Sequence, residues 1–387
     1  MKRIFFVTRG YPTKDNSSFA FVQPLIHKIA DEGIECVVIA PQPVFKKNPL
    51  RPYRWFDFTA KENKITIIQP KYIPFGPLWF ARVKLTTYSR ERAALRALNA
   101  LKEKPDVVYA HFWDCAFIAS AYTSQKRVPL IAVSGESVIK LDRFFSQKQI
   151  DKRKKSVNGL ICVSTKNYKE SLAWGLIGGD NSVLISSNAI DTSLFCRGDK
   201  AKAREMIGAN EKDFVVSYVG GFSERKGVNR LIQSAKKHRE VKLVLIGYGG
   251  ELHDSDQILV AKRVAHEEVA AYLNASDAYC LPTQAEGCCN SIVEAMACGL
   301  PIISSRAEFN EDILDETVAI LIDPNNIQDI ENAIEKLKTN DKMRTEMANN
   351  AYTKAKNMTI EQRSREILAY IESVIVDYQG QNIQKTE

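Results

Sequence analysis

Short runs of apolar residues alternate with helix-like segments along most of this 387-residue chain, and this alternation most constrains its fold. The runs are rich in β-branched residues and unbroken by polar ones, which is typical of strands buried on both faces of a parallel sheet. They lie at residues 34–40, 65–68, 107–110, 130–133, 160–163, 215–219, 243–246, 278–281 and 301–304. Strands that follow one another through helices predict doubly wound α/β sheets.

The apolar runs fall into two groups, separated near residues 186–200, where Ser, Asn and Asp cluster. At roughly 150 residues per domain, the length of the chain also suggests two domains. We therefore predict two doubly wound, Rossmann-like parallel-sheet domains with a cleft between them, with residues 1–190 in the first and 191–358 in the second. Residues 359–387 are predicted to form a long helix that packs back on the first domain, followed by a polar tail.

The charge of the chain is unevenly distributed, since residues 1–190 carry 30 Lys and Arg against 15 Asp and Glu and the rest carry 24 against 31. A basic half favours an anionic partner such as a membrane surface or a lipid diphosphate. Aromatic and basic residues between Lys71 and Lys104, and the cluster Lys152–Lys155, fit the same interpretation. Nucleic acid ranks lower because no RNA-binding motif accompanies them. The alternative is that these cations only keep the surface solvated.

No apolar stretch approaches the length of about 20 residues that spans a bilayer. The apolar run at residues 4–8 is too short for a signal peptide and is interpreted as a first buried strand. The eight cysteines show no metal-ligand spacing, which favours reduced thiols. We therefore expect a cytoplasmic protein, peripheral at the inner face of the membrane.

The strongest local pattern runs from Glu286 to Pro301, between two predicted strands, and indicates a loop, a short helix and a turn. Free amides at the start of such a helix suit a diphosphate, and the two carboxylates of Glu286 and Glu294 suit sugar hydroxyls. We expect Asn290 and Ser291 to cap the start of this helix. An alternative for Glu294 is that it only completes a capping box with Ser291.

Two glycine turns also follow predicted strands. Gly220-Gly221 leads into Arg225-Lys226, and a lysine at a helix start can reach phosphate oxygens. Gly247-Tyr248-Gly249 closes the next strand. The alternative for each is an ordinary tight turn with solvated cations. Asp254-Ser255-Asp256 is interpreted as a solvated loop and not as a metal site.

Taken in order, these patterns resemble glycosyltransferase family 4, a family of retaining enzymes of the two-domain GT-B fold, and within it the group 1-type glycosyltransferases of bacterial surface-polysaccharide assembly. The resemblance covers roughly residues 185–325 and is weaker in the first half. It rests on the junction Asn188–Asp191, the turn ending at Lys226-Gly227, the turn Gly247–Gly249, the segment His266–Val269 and the run Glu286–Glu294.

The resemblance implies a donor site for a nucleotide-diphosphate sugar, with no metal and no other cofactor. Lys226 would neutralise the leaving diphosphate, Glu286 would contact the transferred sugar, and Glu294 would bind the ribose. His111 would act with Lys226 and Glu286 as a catalytic residue. The donor site would comprise Gly220, Gly221, Arg225, Lys226, Gly247, Glu286, Cys288, Cys289, Asn290, Ser291 and Glu294.

On the acceptor side, the resemblance implies a glycan or polyprenyl-diphosphate-linked saccharide bound near Gly10, Tyr11, Ser134, Gly135 and Glu136. Two departures stand out, because Gly221 replaces an arginine usual in the family and Ser134 replaces a histidine. They keep open the alternative of a degenerate GT-B protein that binds a nucleotide or a partner without turnover. A GT-B-fold nucleotide-sugar epimerase is a further alternative.

Overall fold

The computed structural model describes residues 1–13, 19–45, 52–80, 83–178 and 182–384. Arg82, part of the basic segment between Lys71 and Lys104, therefore lies outside the described residues. The chain divides into two compact units. The first comprises Met1–Ser186 and Ile360–Glu387, and the second comprises Ser187–Thr359.

The first unit is an α/β layer structure. Its strands are β1 (Arg3–Val7), β2 (Glu35–Ile39), β3 (Gln42–Pro43), β4 (Arg54–Phe58), β5 (Lys64–Ile68), β6 (Lys71–Tyr72), β7 (Trp79–Phe80), β8 (Val83–Lys84), β9 (Val107–His111), β10 (Leu130–Ser134), β11 (Gly159–Cys162) and β12 (Ser182–Ile185). Its helices before the junction are α1 (Gln23–Asp31), α2 (Leu85–Ala100), α3 (Trp113–Lys126), α4 (Gln147–Arg153) and α5 (Thr165–Ala173).

Eight of these strands form one sheet in the order β12-β11-β10-β9-β1-β2-β5-β4. Neighbours run parallel, except that β4 is antiparallel to β5 at the edge. The central strands are buried along nearly their whole length, as strands packed on both faces must be. The apolar runs of the first half are therefore strands of a parallel sheet, as predicted.

The second unit repeats this design in a smaller sheet. Its elements are α6 (Lys200–Ile207), β13 (Phe214–Val219), α7 (Val228–Ala235), β14 (Val241–Ile246), β15 (Ile258–Lys262), α8 (Val269–Asn274), β16 (Ala278–Leu281), α9 (Asn290–Ala297), β17 (Ile302–Ser305), β18 (Ala319–Ile322), α10 (Ile327–Thr339) and α11 (Asp341–Ala355). The six strands are parallel in the order β15-β14-β13-β16-β17-β18. The predicted class of Rossmann-like parallel-sheet domains is confirmed.

Each of the two large sheets has one point where the strand order reverses, between β1 and β9 in the first unit and between β13 and β16 in the second. Ligands of open parallel sheets bind beyond the carboxyl ends of the strands at such a switch point. The first switch point is flanked by Gly10 and Tyr11 after β1 and by His111 at the end of β9. The second is flanked by Gly220 after β13 and by the loop holding Glu286 after β16.

The last helix, α12 (Ile360–Gln384), returns to the first unit. Its Tyr370 hydroxyl lies 2.6 Å from Ser182 O and accepts a hydrogen bond of 2.8 Å from Leu160 N. Gly159 leaves room for that hydroxyl, because a Cβ there would lie 2.8 Å from Tyr370 Oη. Among the described residues, no helix is both long and apolar enough to cross a membrane.

Candidate active site

Two residues of the predicted donor site form an ion pair in the second unit. Lys226 Nζ lies 2.8 Å from Glu286 Oε1, and the Arg225 guanidinium lies 2.7 Å from the same oxygen. The Thr283 hydroxyl donates a third hydrogen bond to it at 3.1 Å. Because Lys226 follows β13 and Glu286 follows β16, the pair stands at the switch point of the sheet.

Opposing effects set the ionisation of Glu286, whose side chain is only 11% exposed. Burial raises the pKa of this carboxyl, but the charges of Lys226 and Arg225 and their hydrogen bonds outweigh it, so the pKa is lowered overall. Glu286 is therefore a buried carboxylate neutralised by two cations. A buried charge is tolerated only when it is paired in this way.

The turn that carries Lys226 is held by a residue that the sequence did not single out. Arg230, on α7, donates to Glu224 O at 2.9 Å and to Pro282 O at 3.0 Å, so it ties this turn to the loop after β16. Gly227 has φ +77°, and a Cβ there would lie 2.3 Å from Pro282 O. Glycine is thus required for the close approach of the two loops.

The two glycine turns touch each other at the ends of β13 and β14. A Cβ on Gly247 would lie 1.9 Å from Gly220 O, so Gly247 must be a glycine. Gly221 differs, because its φ lies outside the left-handed region and the nearest atom to a Cβ would be Tyr248 O at 3.8 Å. The backbone at Gly221 would therefore accept a side chain.

Helix α9 begins differently from the predicted capping arrangement. Cys289 is its N-cap residue and forms no side-chain capping hydrogen bond. Asn290 Oδ1 instead accepts from Asn188 Nδ2 at 2.6 Å, and Ser291 Oγ lies 2.8 Å from the Tyr279 hydroxyl. The capping prediction was wrong because both side chains are engaged by residues distant in sequence, which no local pattern reveals.

Glu294 lies one turn into α9 and is 7% exposed. Its Oε1 is 3.0 Å from His266 Nε2, so it is paired with a histidine and not with the start of its own helix. That hydrogen bond raises the pKa of His266, against the effect of burial. The ring of Phe195 lies 5.2 Å from that of His266. His266 belongs to the segment His266–Val269 but was not among the predicted site residues.

The cysteines of this loop differ in exposure. Cys288 is half-buried, and its carbonyl oxygen accepts from Asn188 Nδ2 at 3.3 Å. Cys289 is buried, and burial raises the pKa of its thiol well above the ordinary value. The Cys289 thiol therefore stays protonated.

In the first unit, the loop after β1 is fixed by a polar cluster. Tyr11 is buried, and its hydroxyl donates a hydrogen bond of 2.7 Å to Asp57 Oδ2. The same carboxylate oxygen lies 2.9 Å from Gln23 Nε2 and 2.8 Å from His27 Nε2. Gly10 leaves space for the ring of Phe19, which would lie 2.6 Å from a Cβ there. The predicted acceptor residue Tyr11 is thus buried, with its hydroxyl bonded to Asp57.

His111 ends β9 and is 9% exposed. Its ring centroid lies 5.1 Å from that of Phe21 and 4.7 Å from that of Phe112. Burial and the positive charges of Arg363 and Arg9 lower the pKa of His111 to about 3. The imidazole is therefore neutral at physiological pH.

The adjacent segment after β10 is organised around Glu136. Its carboxylate accepts hydrogen bonds from Trp113 N at 2.8 Å, Ser134 Oγ at 3.1 Å and Gly135 N at 3.0 Å. Burial raises the pKa of Glu136 despite the backbone hydrogen bonds. Ser134 is fully buried. These three predicted acceptor residues are adjacent, and Glu136 joins their loop to the start of α3.

Two cations that the sequence assigned to an exposed basic surface are ion-paired instead. Arg90, on α2, lies 2.5 Å from the buried carboxylate of Asp114, and Arg153 lies 2.9 Å from Glu91. Their side chains are only 13% and 16% exposed. The expectation that they face solvent or a membrane was wrong, because their acidic partners sit on neighbouring helices. Lys152 and Lys155 do remain exposed.

Known proteins resemble this chain in sequence and fold. Residues 199–354, most of the second unit, match the family described as Glycosyl transferases group 1. The chain is 25% identical to the putative teichuronic acid biosynthesis glycosyltransferase TuaC of Bacillus subtilis, over 90% of this chain and 92% of that protein. It is 22% identical to the capsular polysaccharide biosynthesis glycosyltransferase CapM of Staphylococcus aureus, over 66% of this chain and 73% of that protein.

Solved structures share the whole fold. Sucrose-phosphate synthase of Thermosynechococcus elongatus superposes with a TM-score of 0.80 at 17% identity, over 97% of this chain and 100% of that one. HepE of Anabaena, in complex with UDP, gives a TM-score of 0.74 at 17% identity, over 96% of this chain and 100% of that one. Both are GT-B folds, which confirms the predicted fold class.

Proposed function

We propose that this chain, whose second unit matches the family described as Glycosyl transferases group 1, is a retaining, metal-independent enzyme of family 4. It moves a sugar from a nucleotide-diphosphate sugar to a glycan or lipid-linked saccharide in surface-polysaccharide synthesis. The ion pair of Lys226 with Glu286, at the switch point of the donor sheet, carries this proposal.

The donor diphosphate binds between the turn of Lys226 and the start of α9. Lys226 and Arg225 neutralise the charge that develops on the leaving diphosphate, which is a large contribution to stabilising such a transition state. No side chain among the described residues caps α9, so its first amides suit phosphate oxygens. With two cations and a helix N-terminus at the leaving group, these groups take the electrostatic role that a divalent metal ion has elsewhere.

Glu286 receives the hydroxyls of the transferred sugar. It is buried, ionised and held by Lys226, Arg225 and Thr283, so its position varies little. Glu294 binds the ribose, and His266 orients it through the 3.0 Å hydrogen bond. Retention follows from attack on the same face that the diphosphate leaves, with a diphosphate oxygen taking the acceptor proton.

The acceptor binds to the first unit, beyond the ends of β1, β9 and β10. His111, neutral and close to the switch point, offers a hydrogen-bonding nitrogen to an acceptor or sugar hydroxyl. The names of TuaC and CapM, which refer to teichuronic acid and capsular polysaccharide, support a surface glycan as the product. Exposed Trp79 and Phe80 and the basic charge of this half support docking of the enzyme at the inner face of the membrane.

The first experiment is a thermal-shift screen of the wild type with UDP, GDP, ADP and their common sugar derivatives. UDP is the natural first ligand, since the similar HepE binds it. At 100 times its Kd, a ligand should add about 2.7 kcal/mol to the free energy of unfolding. The shift should be lost in Lys226→Ala. A screen in which no nucleotide shifts the transition would refute the transferase proposal.

Donor hydrolysis then separates an enzyme from a nucleotide-binding protein. We expect the released sugar to keep the anomeric configuration of the donor in an NMR time course, and hydrolysis to persist in the presence of EDTA. Inversion would refute the retaining mechanism, and loss of activity that Mg²⁺ restores would refute metal independence. Nucleotide binding without hydrolysis or transfer to any acceptor would instead favour the non-catalytic alternative, which the glycine at position 221 keeps open.

A further inference from the structure

A small polar cavity lies inside the first unit, beside the ends of β1 and β9. Its volume is about 10 Å³, which leaves room for about one water molecule. Its polar lining residues are Thr8, Tyr109, His111 and Arg363. The other lining side chains are apolar and come from β1 and from residues between 21 and 26, at the start of α1. The cavity is too small for a sugar, but it brings groups from both ends of the chain around one site.

The hydroxyl of Tyr109 needs a partner at this cavity. Tyr109 is 2% exposed, and its hydroxyl forms no hydrogen bond with any described residue. Its ring packs on that of Phe6, with centroids 5.3 Å apart, so packing fixes the side chain. Burial raises the pKa of Tyr109 to about 12, so the hydroxyl keeps its proton. Hydroxyls buried this fully are satisfied by ordered water where the protein offers no partner.

Arg363 reaches the same cavity from the C-terminal helix. It lies near the start of α12, is 8% exposed and donates to Ser186 O at 3.5 Å. A guanidinium group only donates hydrogen bonds. A water beside Arg363 therefore accepts from it, and both hydrogens of that water remain available for acceptors elsewhere around the cavity.

His111 lies two residues after Tyr109 on β9, so both side chains point to the same face of the sheet. Burial is the main cause of the low pKa of His111, followed by the charges of Arg363 on α12 and Arg9 after β1. Asp114 on α3 acts in the opposite direction, and the residues of α1 at the cavity are apolar. A neutral imidazole has one N–H and one acceptor nitrogen, and the hydrogen bond at one nitrogen decides where the proton lies.

We propose that Tyr109 and Arg363 position His111 through one water in this cavity. The water accepts a hydrogen bond from Arg363 and donates to the Tyr109 hydroxyl oxygen and to one ring nitrogen of His111. The proton of the imidazole then stays on the other nitrogen, which donates to a hydroxyl oxygen of the bound saccharide. This proposal rests on the proposed transferase function, in which His111 contacts an acceptor or sugar hydroxyl. Because both are buried, Tyr109 and Arg363 are positioning residues and not catalytic ones.

The tautomer of His111 tests this arrangement directly. The measurement is the ring nitrogen-15 spectrum of the full chain near neutral pH, with the His111 signals identified by their loss in His111→Asn. We expect one neutral tautomer in the wild type. Tyr109→Phe and Arg363→Met each remove a partner of the water, so both should give a mixture of tautomers. Two tautomers in the wild type, or one unchanged tautomer in both variants, would overturn the proposal.

Tyr109→Phe also distinguishes a bridged hydroxyl from an unsatisfied one. A buried hydroxyl without a partner destabilises the fold, so its removal would raise Tm or leave it unchanged. A hydroxyl bonded to the water stabilises the fold, so its removal should lower Tm. It should also lower kcat about fivefold, the equivalent of one hydrogen bond, and leave the Kd of the donor nucleotide unchanged, because the donor binds to the second unit. A raised or unchanged Tm with wild-type kcat would contradict the proposal.

Arg363→Met tests the contribution of the charge. Loss of this cation should raise the pKa of His111, so the folded chain takes up its proton at a higher pH. The variant should therefore lose less Tm than the wild type between neutral pH and about pH 4, and this difference should disappear when both also carry His111→Asn. Arg363→Lys keeps the charge and a donor and should restore most of kcat. Arg365→Met, at an exposed arginine of the same helix, is the matched control, and equal effects of the two methionine variants would overturn the proposal.

These measurements keep the positioning role and the transferase function separate. The tautomer of His111 and the acid dependence of Tm require no turnover, so they test the water-mediated contact in any case. Wild-type protein that transfers sugar, while both variants keep its kcat and its single tautomer, would refute the positioning role alone. Wild-type protein that binds no nucleotide and transfers no sugar, yet shows the coupling of Tyr109 and Arg363 to His111, would refute the transferase proposal and leave the contact as a structural one.

Discussion

Lys226 Nζ lies 2.8 Å from Glu286 Oε1, and this pair joins the loops after two adjacent strands of the second unit. The two opposite charges neutralise each other, with Arg225 as a second cation on the same carboxylate. A donor diphosphate would compete with Glu286 for Lys226, whereas sugar hydroxyls would donate hydrogen bonds to the carboxylate of Glu286. The contact is therefore available for exchange on binding.

Lys226→Ala should lower kcat by about 10²–10³-fold, because one preorganised group at the developing charge contributes that much. Glu286→Ala should lower turnover mainly, whereas Glu294→Ala should mainly raise the Kd of the donor. Steady-state kinetics and nucleotide titration separate the two effects. Arg225→Ala, at the adjacent and more exposed cation, is the matched control and should have a smaller effect. Equal and small effects at Glu286 and Glu294 would contradict their assigned roles.

The pair of His266 and Glu294 should make stability depend on pH. The hydrogen bond raises the pKa of His266, so the folded unit holds this proton more tightly than the unfolded chain does. The contribution is complete below the ordinary histidine value of 6.5 and is lost as pH rises through the raised value. The difference in Tm between wild type and His266→Gln should therefore shrink with rising pH. A constant difference would contradict the pairing.

His111 should make stability depend on pH in the opposite sense to His266. Its pKa of about 3 in the folded chain means that only the unfolded chain takes up a proton near pH 6.5. Stability is thus complete above that pH and falls toward pH 3, with a slope of at most about 1.4 kcal/mol per pH unit. His111→Asn should remove this loss, seen in urea unfolding at several pH values. Transfer rates of wild type and variant should run parallel between pH 6 and 8, since the imidazole is already neutral.

Gly221→Arg should be tolerated and should strengthen donor binding. The backbone there has ordinary φ, and a Cβ would meet nothing closer than Tyr248 O at 3.8 Å. The added guanidinium would lie beside the proposed diphosphate site. Isothermal titration with UDP and a thermal melt check both points. Gly247→Ala is the contrasting variant, because its Cβ would lie 1.9 Å from Gly220 O and should strongly destabilise the second unit. A large loss of Tm in Gly221→Arg would contradict the prediction.

Tyr370→Phe should destabilise the first unit by about 1–3 kcal/mol, because it removes the hydroxyl that bonds to buried Leu160 N and to partly buried Ser182 O. The urea midpoint measures this, and activity at low temperature should be kept. Gly159→Ala should have a comparable effect by displacing the same hydroxyl. Tyr378→Phe, near the end of the same helix, is the comparison variant, and equal losses in both would contradict a specific role of Tyr370.

The strands were predictable because each is a continuous apolar run that can be satisfied only by burial on both faces. The residues 278–281 are an example, since the predicted strand and β16 coincide. The order of motifs around Lys226 and Glu286 also lies in the sequence, since each motif follows a strand and so must reach the carboxyl edge of a sheet.

Contacts between distant segments were decided only by the tertiary structure. Glu294 and Ser291 fit a capping box locally, yet Glu294 bonds to His266 and Ser291 to Tyr279. A buried polar group binds whichever partner the packing brings within reach. Arg90 had the spacing of a surface cation, but burial of Asp114 on α3 required a counter-charge. The sequence by itself determined which segments fold and where their ends meet, and the packing decided which side chains pair there, since pairing depends on distances that no local pattern contains.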